Sequence, residues 1–395
     1  MTQINLMSPE VLANPYPYYA ELRRLGPVCQ VEPHGMWAVS RYEDVLFVLK
    51  NPSLFSSSGF TVAWQPAWVG YNPMANSMIT RDPPQHTRLR ALLLRAFGPA
   101  TIARLEPRVR ANAERLASGL VDGADFIQTL ALPVPAYVIS EILGLDHQLL
   151  PYFKQWSDDI VAITPSPASL EAAERIRGTI AKLTEYVGKV IEERRRAPAD
   201  DTVSDLLRAE VEGQRLTDVE IKDFLILLLI AGLESTTNLL GNSLLFLADH
   251  PEMMARLRLE PSLIPSFIEE MLRYDGVAPG VPRLAASDVT LAGVTIPQGS
   301  MVFPLMSSAN RDERKFPDPD RFDLNRGSQG GLAFGQGAHF CLGAMLARME
   351  VRIVLETVLA RFQRVERLPG NIQYQCALTT RGPVALPLRY IPVGG

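Results

Sequence analysis

The stretch FGQGAHFCLG, residues 334–343, puts a thiol two positions after a histidine and sets three glycines among ten residues. A helical pattern, LGAMLARMEVRIVLETVLARF, begins directly behind Cys341. The N-terminus of a helix stabilises a thiolate through its dipole and its free N–H groups. Gly335, Gly337 and Gly343 leave the backbone bare enough for something large and flat to approach. Three chemistries are open to this cysteine: an inert buried thiol, a nucleophile paired with His339, or a thiolate metal ligand. A nucleophile needs a base in reach and an oxyanion site, and nothing else in the chain supplies a triad. A dinucleotide loop is excluded, because Phe340 stands where GxGxxG requires its third glycine.

Two further groups carry chemistry. AGLEST, 231–236, places Gly232, Glu234 and two hydroxyls inside an apolar helical pattern. A mid-helix glycine costs about 1 kcal/mol against alanine. A buried acid costs more unless it has a partner or a task. EEMLR, 269–273, sets Glu270 and Arg273 at i, i+3, on one helix face. Such a pair is ordinarily a surface ion pair.

These residues must be positioned by a mostly helical scaffold. Helical patterns run over roughly 86–97, 101–120, 134–145, 168–196, 217–249, 261–274 and 342–362, with an amphipathic entry at 13–26. The 217–249 helix opens with the capping box of Thr217 and Glu220 and stops before Pro251. At 1.5 Å per residue it is about 50 Å long, and its middle is apolar on every side, as a buried helix requires. PVCQVEP and MWAVSR read as two strands around His34-Gly35, and 289–304 alternates with glycine turns. A small sheet is therefore expected mainly from about 27–50, 289–304 and 370–392. Residues 51–80 contain no Asp, Glu, Lys, Arg or His but two Trp, two Phe and a Tyr. Long uncharged segments of this kind are usually binding loops or lids.

The chain has 395 residues and a net charge of −4, which argues against general nucleic-acid binding. Cys29, Cys341 and Cys376 are too few and too dispersed for a disulfide framework or a CxxC metal site. The start MTQINLMSPEVL lacks a signal-peptide pattern, and the longest apolar run, 224–233, is too short to span a bilayer. A cytoplasmic protein without membrane contact is expected. No linker or repeat divides the chain, so residues 1–395 read as one domain with a smaller sheet lobe.

At this point the motifs combine. FGQGAHFCLG resembles the haem-binding loop of the cytochromes P-450, FxxGxxxCxG, at Phe334, Gly337, Cys341 and Gly343. EEMLR is similar to the family's ExxR pair. FPDPDRFDLNR, 316–326, resembles the segment that completes its network, with Arg321 as the third member. DPPQHTRLRALLLRAF, 82–97, resembles the C-helix, with His86 and Arg90 at i, i+4. AGLEST resembles the oxygen-activation segment (A/G)Gx(D/E)T, with Ser235 in place of the usual Thr. The resemblance runs along essentially the whole chain and implies a mainly α fold, a large helical domain with a small β-sheet lobe.

What the resemblance implies is specific. Haem b would be held by the Cys341 thiolate, with Phe334 and Gly335 near the sulfur. His86, Arg90, Arg283 and His339 would meet the propionates. Ala231 and Gly232 would leave room for dioxygen, Glu234 would deliver protons, and Ser235, with Thr236 as the competing hydroxyl, would orient oxygen and water. Serine keeps the hydroxyl but loses the methyl that stiffens χ1. Substrate would meet Phe60, Trp64, Trp68, Tyr71, Leu227, Ile230, Ala231, Val281, Thr379 and Thr380. Val277 departs from the PV dipeptide usual after the ExxR helix.

The expected activity is insertion of one oxygen atom from O2 into a bulky, mostly neutral lipophile: terpenoid, steroid-like, macrolide or polyketide. Two electrons would come from a ferredoxin or flavodoxin with its NAD(P)H-dependent reductase. Eight Arg against three acids between 81 and 115, including Arg88, Arg95, Arg104, Arg108 and Arg110, suggest a docking patch completed by Arg348 and Arg352. A monomer is expected. A peroxide-driven peroxygenase or isomerase would abandon the Glu234–Ser235 pair, and a haem-thiolate sensor would lack a deep pocket.

Overall fold

The structure, a computed structural model, describes residues 4–394 apart from 60, 62–64, 97, 164–166, 328–329 and 376, and apart from the side chains of Arg95 and Ala96. Helices dominate, and every helical pattern expected from the sequence is found, with ends within a few residues. The chain forms two compact units. The first comprises Met1–Phe55, Arg108–Val134 and Ser235–Gly395, and the second Ser56–Pro107 and Pro135–Glu234.

The first unit holds a five-stranded sheet built from β1 (Val28–Val31), β2 (Met36–Val39), β3 (Phe55–Ser56), β6 (Arg283–Ala285) and β9 (Met301–Pro304), in the order β1-β2-β9-β6-β3. β1 and β2 pair antiparallel across the four-residue turn 32–35, in which His34 and Gly35 lie at positive φ (67° and 64°). β2 and β9 run parallel. A separate hairpin, β7 (Val289–Leu291) with β8 (Val294–Ile296), turns at Ala292-Gly293. Residues 42–50, expected in the sheet-rich stretch, form the helix Tyr42–Lys50 instead. Tyr42, Val45, Val48 and Leu49 all face the core, a spacing that only a helix satisfies. Between β10 (Phe362–Arg367) and its partner β11 (Leu388–Pro392) the chain makes an irregular hairpin closed by the bridge Tyr374↔Pro383.

In the second unit a short hairpin pairs β4 (Glu210–Val211) with β5 (Gln214–Arg215), and the helix Leu170–Arg196 packs on Leu150–Val161 and on Thr202–Arg208, which in turn meets Gln85–Ala96. Buried Asp159 joins the first pair, accepting from Thr179 Oγ1 at 2.6 Å and Arg175 Nε at 2.9 Å. The sequence reading missed Leu150–Val161, Thr202–Arg208 and Pro251–Leu259, whose apolar faces are short.

The chain passes from the second unit to the first inside the helix Asp218–Asp249. Its capping box is formed: Thr217 N donates to Glu220 Oε2 at 2.8 Å, and Glu220 N to Thr217 Oγ1 at 3.2 Å. By length and composition this helix could cross a membrane, yet 78% of its most apolar window is buried inside the protein.

One ion-pair network locks the first unit. Glu270 and Arg273 on the helix Ile264–Tyr274 are each 4% exposed and form a bidentate pair at 2.8 Å. Glu270 Oε1 also accepts from Asp323 N (2.8 Å) and Arg326 Nε (3.2 Å). Arg273 donates to the carbonyls of Asn310, Pro319 and Arg321. The third cation is thus Arg326 rather than Arg321. The Arg321 side chain is largely exposed and pairs with Asp323 at 3.8 Å; what it gives the network is its carbonyl. Removing one partner of a buried pair strands the other and costs about 3–5 kcal/mol. That is a large share of a typical stability of about 5–15 kcal/mol. Glu270→Ala and Arg273→Ala should each leave little soluble protein, while Arg321→Ala should express normally. Soluble yield and thermal unfolding check both, and a normal Glu270→Ala would overturn the network's role.

Candidate functional site

In the first unit the residues around Cys341 form a tight loop that feeds the helix Ala344–Arg361. Cys341 N donates to Phe334 O at 2.9 Å, closing the loop on itself. Gly335 and Gly337 lie at φ of 69° and 73°, a region that side chains with a Cβ avoid. A Cβ on Gly337 would also sit 2.7 Å from the carbonyl of Leu49 and 3.2 Å from Lys50 Cα. The Phe334 ring is held under the Arg348 guanidinium at 4.5 Å, and Arg348 is fixed by Glu269 at 2.5 and 3.0 Å. Cys341, His339 and Gly343 are half-buried, and Arg283, on β6, is buried with Nη1 on the Pro282 carbonyl at 2.9 Å.

The helix Asp218–Asp249 carries AGLEST at its middle. Ala231 is exposed there, although Ile230 and Leu233 on either side are buried, so the helix presents one bare spot in an otherwise covered stretch. Glu234 and Ser235 are half-buried; Thr236 and Thr237 are buried, and Thr237 Oγ1 donates to the Ala131 carbonyl at 3.3 Å. At Gly232 a Cβ would stand 2.7 Å from Ile139 Cδ1, so the glycine also serves close packing.

In the second unit His86 is buried and Arg90 half-buried, one turn apart on Gln85–Ala96. Asp82 fixes the entry to this helix: its carboxylate accepts from Ser57 N (2.9 Å) and from Ser56 Oγ. Of the expected substrate wall, Phe60 and Trp64 lie outside the described residues, as does Cys376. Leu227 and Ile230 are buried; Trp68, Val281, Thr379 and Thr380 are half-buried.

Tyr71, also expected at the substrate wall, is exposed. Its hydroxyl donates to the Asp223 carboxylate at 2.7 Å, and it lines an open groove of about 690 Å³ with Val69, Ile180, Thr184, Gly188 and Lys222. Burial pushes the Asp223 carboxyl up to about 6, against the lowering by the Tyr71 hydrogen bond, Arg81 and Lys222. Arg177 Nη1 ties the same segment by the Trp68 carbonyl at 3.0 Å.

The arginine-rich stretch is less bare than its composition suggests. Arg88 pairs with Glu220, Arg104 with Asp200 and Asp205 at 3.7 and 3.8 Å, Arg110 and Arg352 both with Glu356, and Arg348 with Glu269. The sequence count missed these because most of the acids lie far away along the chain. It also missed Arg326, Asn238, Asn242 and Arg381. The two asparagines, polar residues in an apolar helix, were a signal of a polar partner.

These residues fit a haem. In the first unit the thiol stands at a helix mouth, and the glycines leave a cradle that a Cβ would fill. The comparisons agree. The model of the Cytochrome P450 family matches residues 13–373. The erythromycin C-12 hydroxylase of Saccharopolyspora erythraea is 40% identical over 350 residues, 87% of this chain and 86% of that protein. The structure of cytochrome P450 CYP109Q5 from Chondromyces apiculatus matches with a TM-score of 0.92 and 41% identity, over 100% of this chain and 99% of that one. CYP109E1 from Bacillus megaterium, solved in complex with corticosterone, matches with a TM-score of 0.86 and 36% identity, over 96% of this chain and 99% of that one.

Gly337→Ala should destabilise the protein by about 2–4 kcal/mol, the sum of a left-handed alanine and an overpacked contact with backbone. Gly343 has ordinary φ and open space around a Cβ, so Gly343→Ala should stay within about 0.5 kcal/mol. Denaturant unfolding of the two apoproteins compares them directly; equal stabilities would contradict the close approach at Leu49.

Proposed function

The chain belongs to the cytochrome P450 family and is a monooxygenase of it; we propose that it inserts one atom of O2 into a bulky, mostly neutral lipophile. The stoichiometry is substrate C–H plus O2, two electrons and two protons, giving the alcohol and water. The observation that carries this reading is the Cys341 loop, a half-buried thiol at a helix mouth inside a glycine cradle. Haem b bound there would supply the activation of dioxygen, with the thiolate pushing electron density toward O–O cleavage.

The other roles fall to named side chains. Cys341 Sγ would bind the iron, and Phe334 would shield the sulfur from water. Arg283, His339, His86 and Arg90 would bind the two propionates through charge-assisted hydrogen bonds. Gly232 and Ala231 would keep the surface of the central helix low. Ser235 Oγ would hold a water in line with the oxygen, and the Glu234 carboxylate would pass protons to it. Half-burial of Ser235 against full burial of Thr236 favours Ser235 for this task.

Relatives named for an erythromycin hydroxylation and for a corticosterone complex support a macrolide- or steroid-sized substrate. Leu227, Ile230, Val281, Thr379, Thr380 and the aromatic residues of 51–80 would form its walls. Electrons would come from a separate ferredoxin or flavodoxin with an NAD(P)H-dependent reductase. Docking of an acidic carrier would rest on the arginine-rich stretch 81–115 together with Arg348 and Arg352. The same reading makes the protein a cytoplasmic monomer.

The reduced carbon monoxide complex of the wild type should show the red-shifted Soret band of a thiolate-ligated haem. Cys341→Ala should abolish it, and Cys29→Ala and Cys376→Ala should keep it; loss of the band in Cys376→Ala alone would refute the assignment.

Ser235→Ala should lower product formed per NAD(P)H and raise hydrogen peroxide, while Ser235→Thr should hold or improve coupling. Thr236→Ala, measured beside them with a confirmed substrate and saturating redox partners, should change coupling little. Unchanged coupling in Ser235→Ala with collapse in Thr236→Ala would transfer the role to Thr236.

A further inference from the structure

The hairpin between β10 and β11 carries Thr379 and Thr380 near its tip, and Arg381 is among the groups that tie its stem to the rest of the first unit. Across the stem, Gln375 N donates to Gly382 O at 3.1 Å and Val384 N to Gln373 O at 2.9 Å. Arg381 is 7% exposed. Its Nη1 reaches Asp275 Oδ1 at 2.7 Å, its Nη2 the Ala13 carbonyl at 3.0 Å, and its backbone N–H the Val277 carbonyl at 2.8 Å. The guanidinium lies 4.0 Å over the Tyr374 ring.

Asp275 is itself fixed. It follows the helix Ile264–Tyr274, its Oδ1 also accepts from Tyr16 Oη at 2.6 Å, and its carbonyl accepts from Asn242 Nδ2 at 3.1 Å. A second asparagine, Asn238, donates to Gln375 Oε1 at 2.8 Å, and a Cβ on Gly382 would lie 2.4 Å from Asn238 Cγ. Asn238 and Asn242 are three and seven residues beyond Ser235, on one face of the central helix. The stem is thus bonded directly to the face that carries Ser235, and through Asp275 to the end of the ExxR helix.

We propose that Arg381 is a positioning residue that, through Asp275, fixes the Thr379–Thr380 tip against the Ser235 face and so sets the shape of the substrate site. The inference rests on the function proposed above for what the site holds, but the clamp itself is a property of the hairpin. An arginine suits the task because its planar fork serves Asp275 and Ala13 at once. Val277, the departure after the ExxR helix, is buried and lends its carbonyl, so this part of the wall is held by backbone rather than by a proline ring.

The test uses haem-loaded protein and the variants Arg381→Gln, Arg381→Lys and Asp275→Asn. Hydrogen exchange of amides 377–380 should accelerate by about a hundredfold in Arg381→Gln, as expected when one partner of a buried pair is removed. Arg381→Lys should restore most of the protection, since its charge still reaches Asp275. Imidazole, small enough to report only on the iron, should bind wild type and variants equally. Clotrimazole, an imidazole carrying a bulky triaryl group, should bind Arg381→Gln about tenfold more weakly, because the tip must then be ordered on binding. Asp275→Asn, which keeps an acceptor for Tyr16, gives the same comparison if Arg381→Gln fails to fold. Wild-type exchange at 377–380 in Arg381→Gln, or faster exchange with unchanged clotrimazole affinity, would overturn the proposal. Absence of the thiolate Soret band in the wild type would instead overturn the proposed function, and the exchange data would still decide the clamp.

Discussion

The first unit closes on one of its buried carboxylates. Glu270 is 4% exposed and accepts from Arg273, Arg326 and the backbone of Asp323. A charge so placed is tolerable only when every lone pair is answered. The answers come from sequence positions 53 and 56 residues away, so the ion pair aligns a whole irregular segment. The alignment propagates toward the thiol. Arg273 holds the Asn310 carbonyl, Asn310 Oδ1 accepts from Leu332 N at 2.7 Å, and Phe334, two residues on, accepts from Cys341 N. The position of the Cys341 sulfur is therefore inherited from an ion pair that never touches it.

The central helix makes the complementary compromise. It is apolar almost throughout, which commits it to burial, yet it carries Glu234, Ser235, Asn238 and Asn242 along its middle and second half. Each asparagine has found a partner in the hairpin or at Asp275. Gly232 serves twice: it lowers the surface beside Ala231 and admits Ile139. A helix built only for stability would hold leucine at these positions. Its polar stripe departs from what packing alone would choose.

The electrostatics of the surface follow the same economy of pairing. Arginines that read as a basic patch along the chain are mostly balanced by acids brought in from elsewhere, such as Glu220, Glu269 and Glu356. Tyr71 and Asp223 show the converse case, where an uncharged loop borrows a buried acid from a helix and gives up its own hydroxyl to it.

The amino-acid sequence by itself determined what depends on neighbours within about ten residues or on helical period. The Cys341 loop, the Glu270–Arg273 spacing, AGLEST and the long helices were legible there, because a helix face or a glycine turn is set locally. The tertiary structure alone decided which remote groups meet. It chose Arg326 over Arg321 as the third cation, because the chain turns after Pro317 and directs the Arg321 side chain outward. It folded 42–50 as a helix, because a core was there to receive Val45 and Val48. It joined Arg381 to Asp275 across 106 residues of chain. Local propensity carries no record of such pairings; they exist only once packing has removed water from both partners and left each the other's best hydrogen bond.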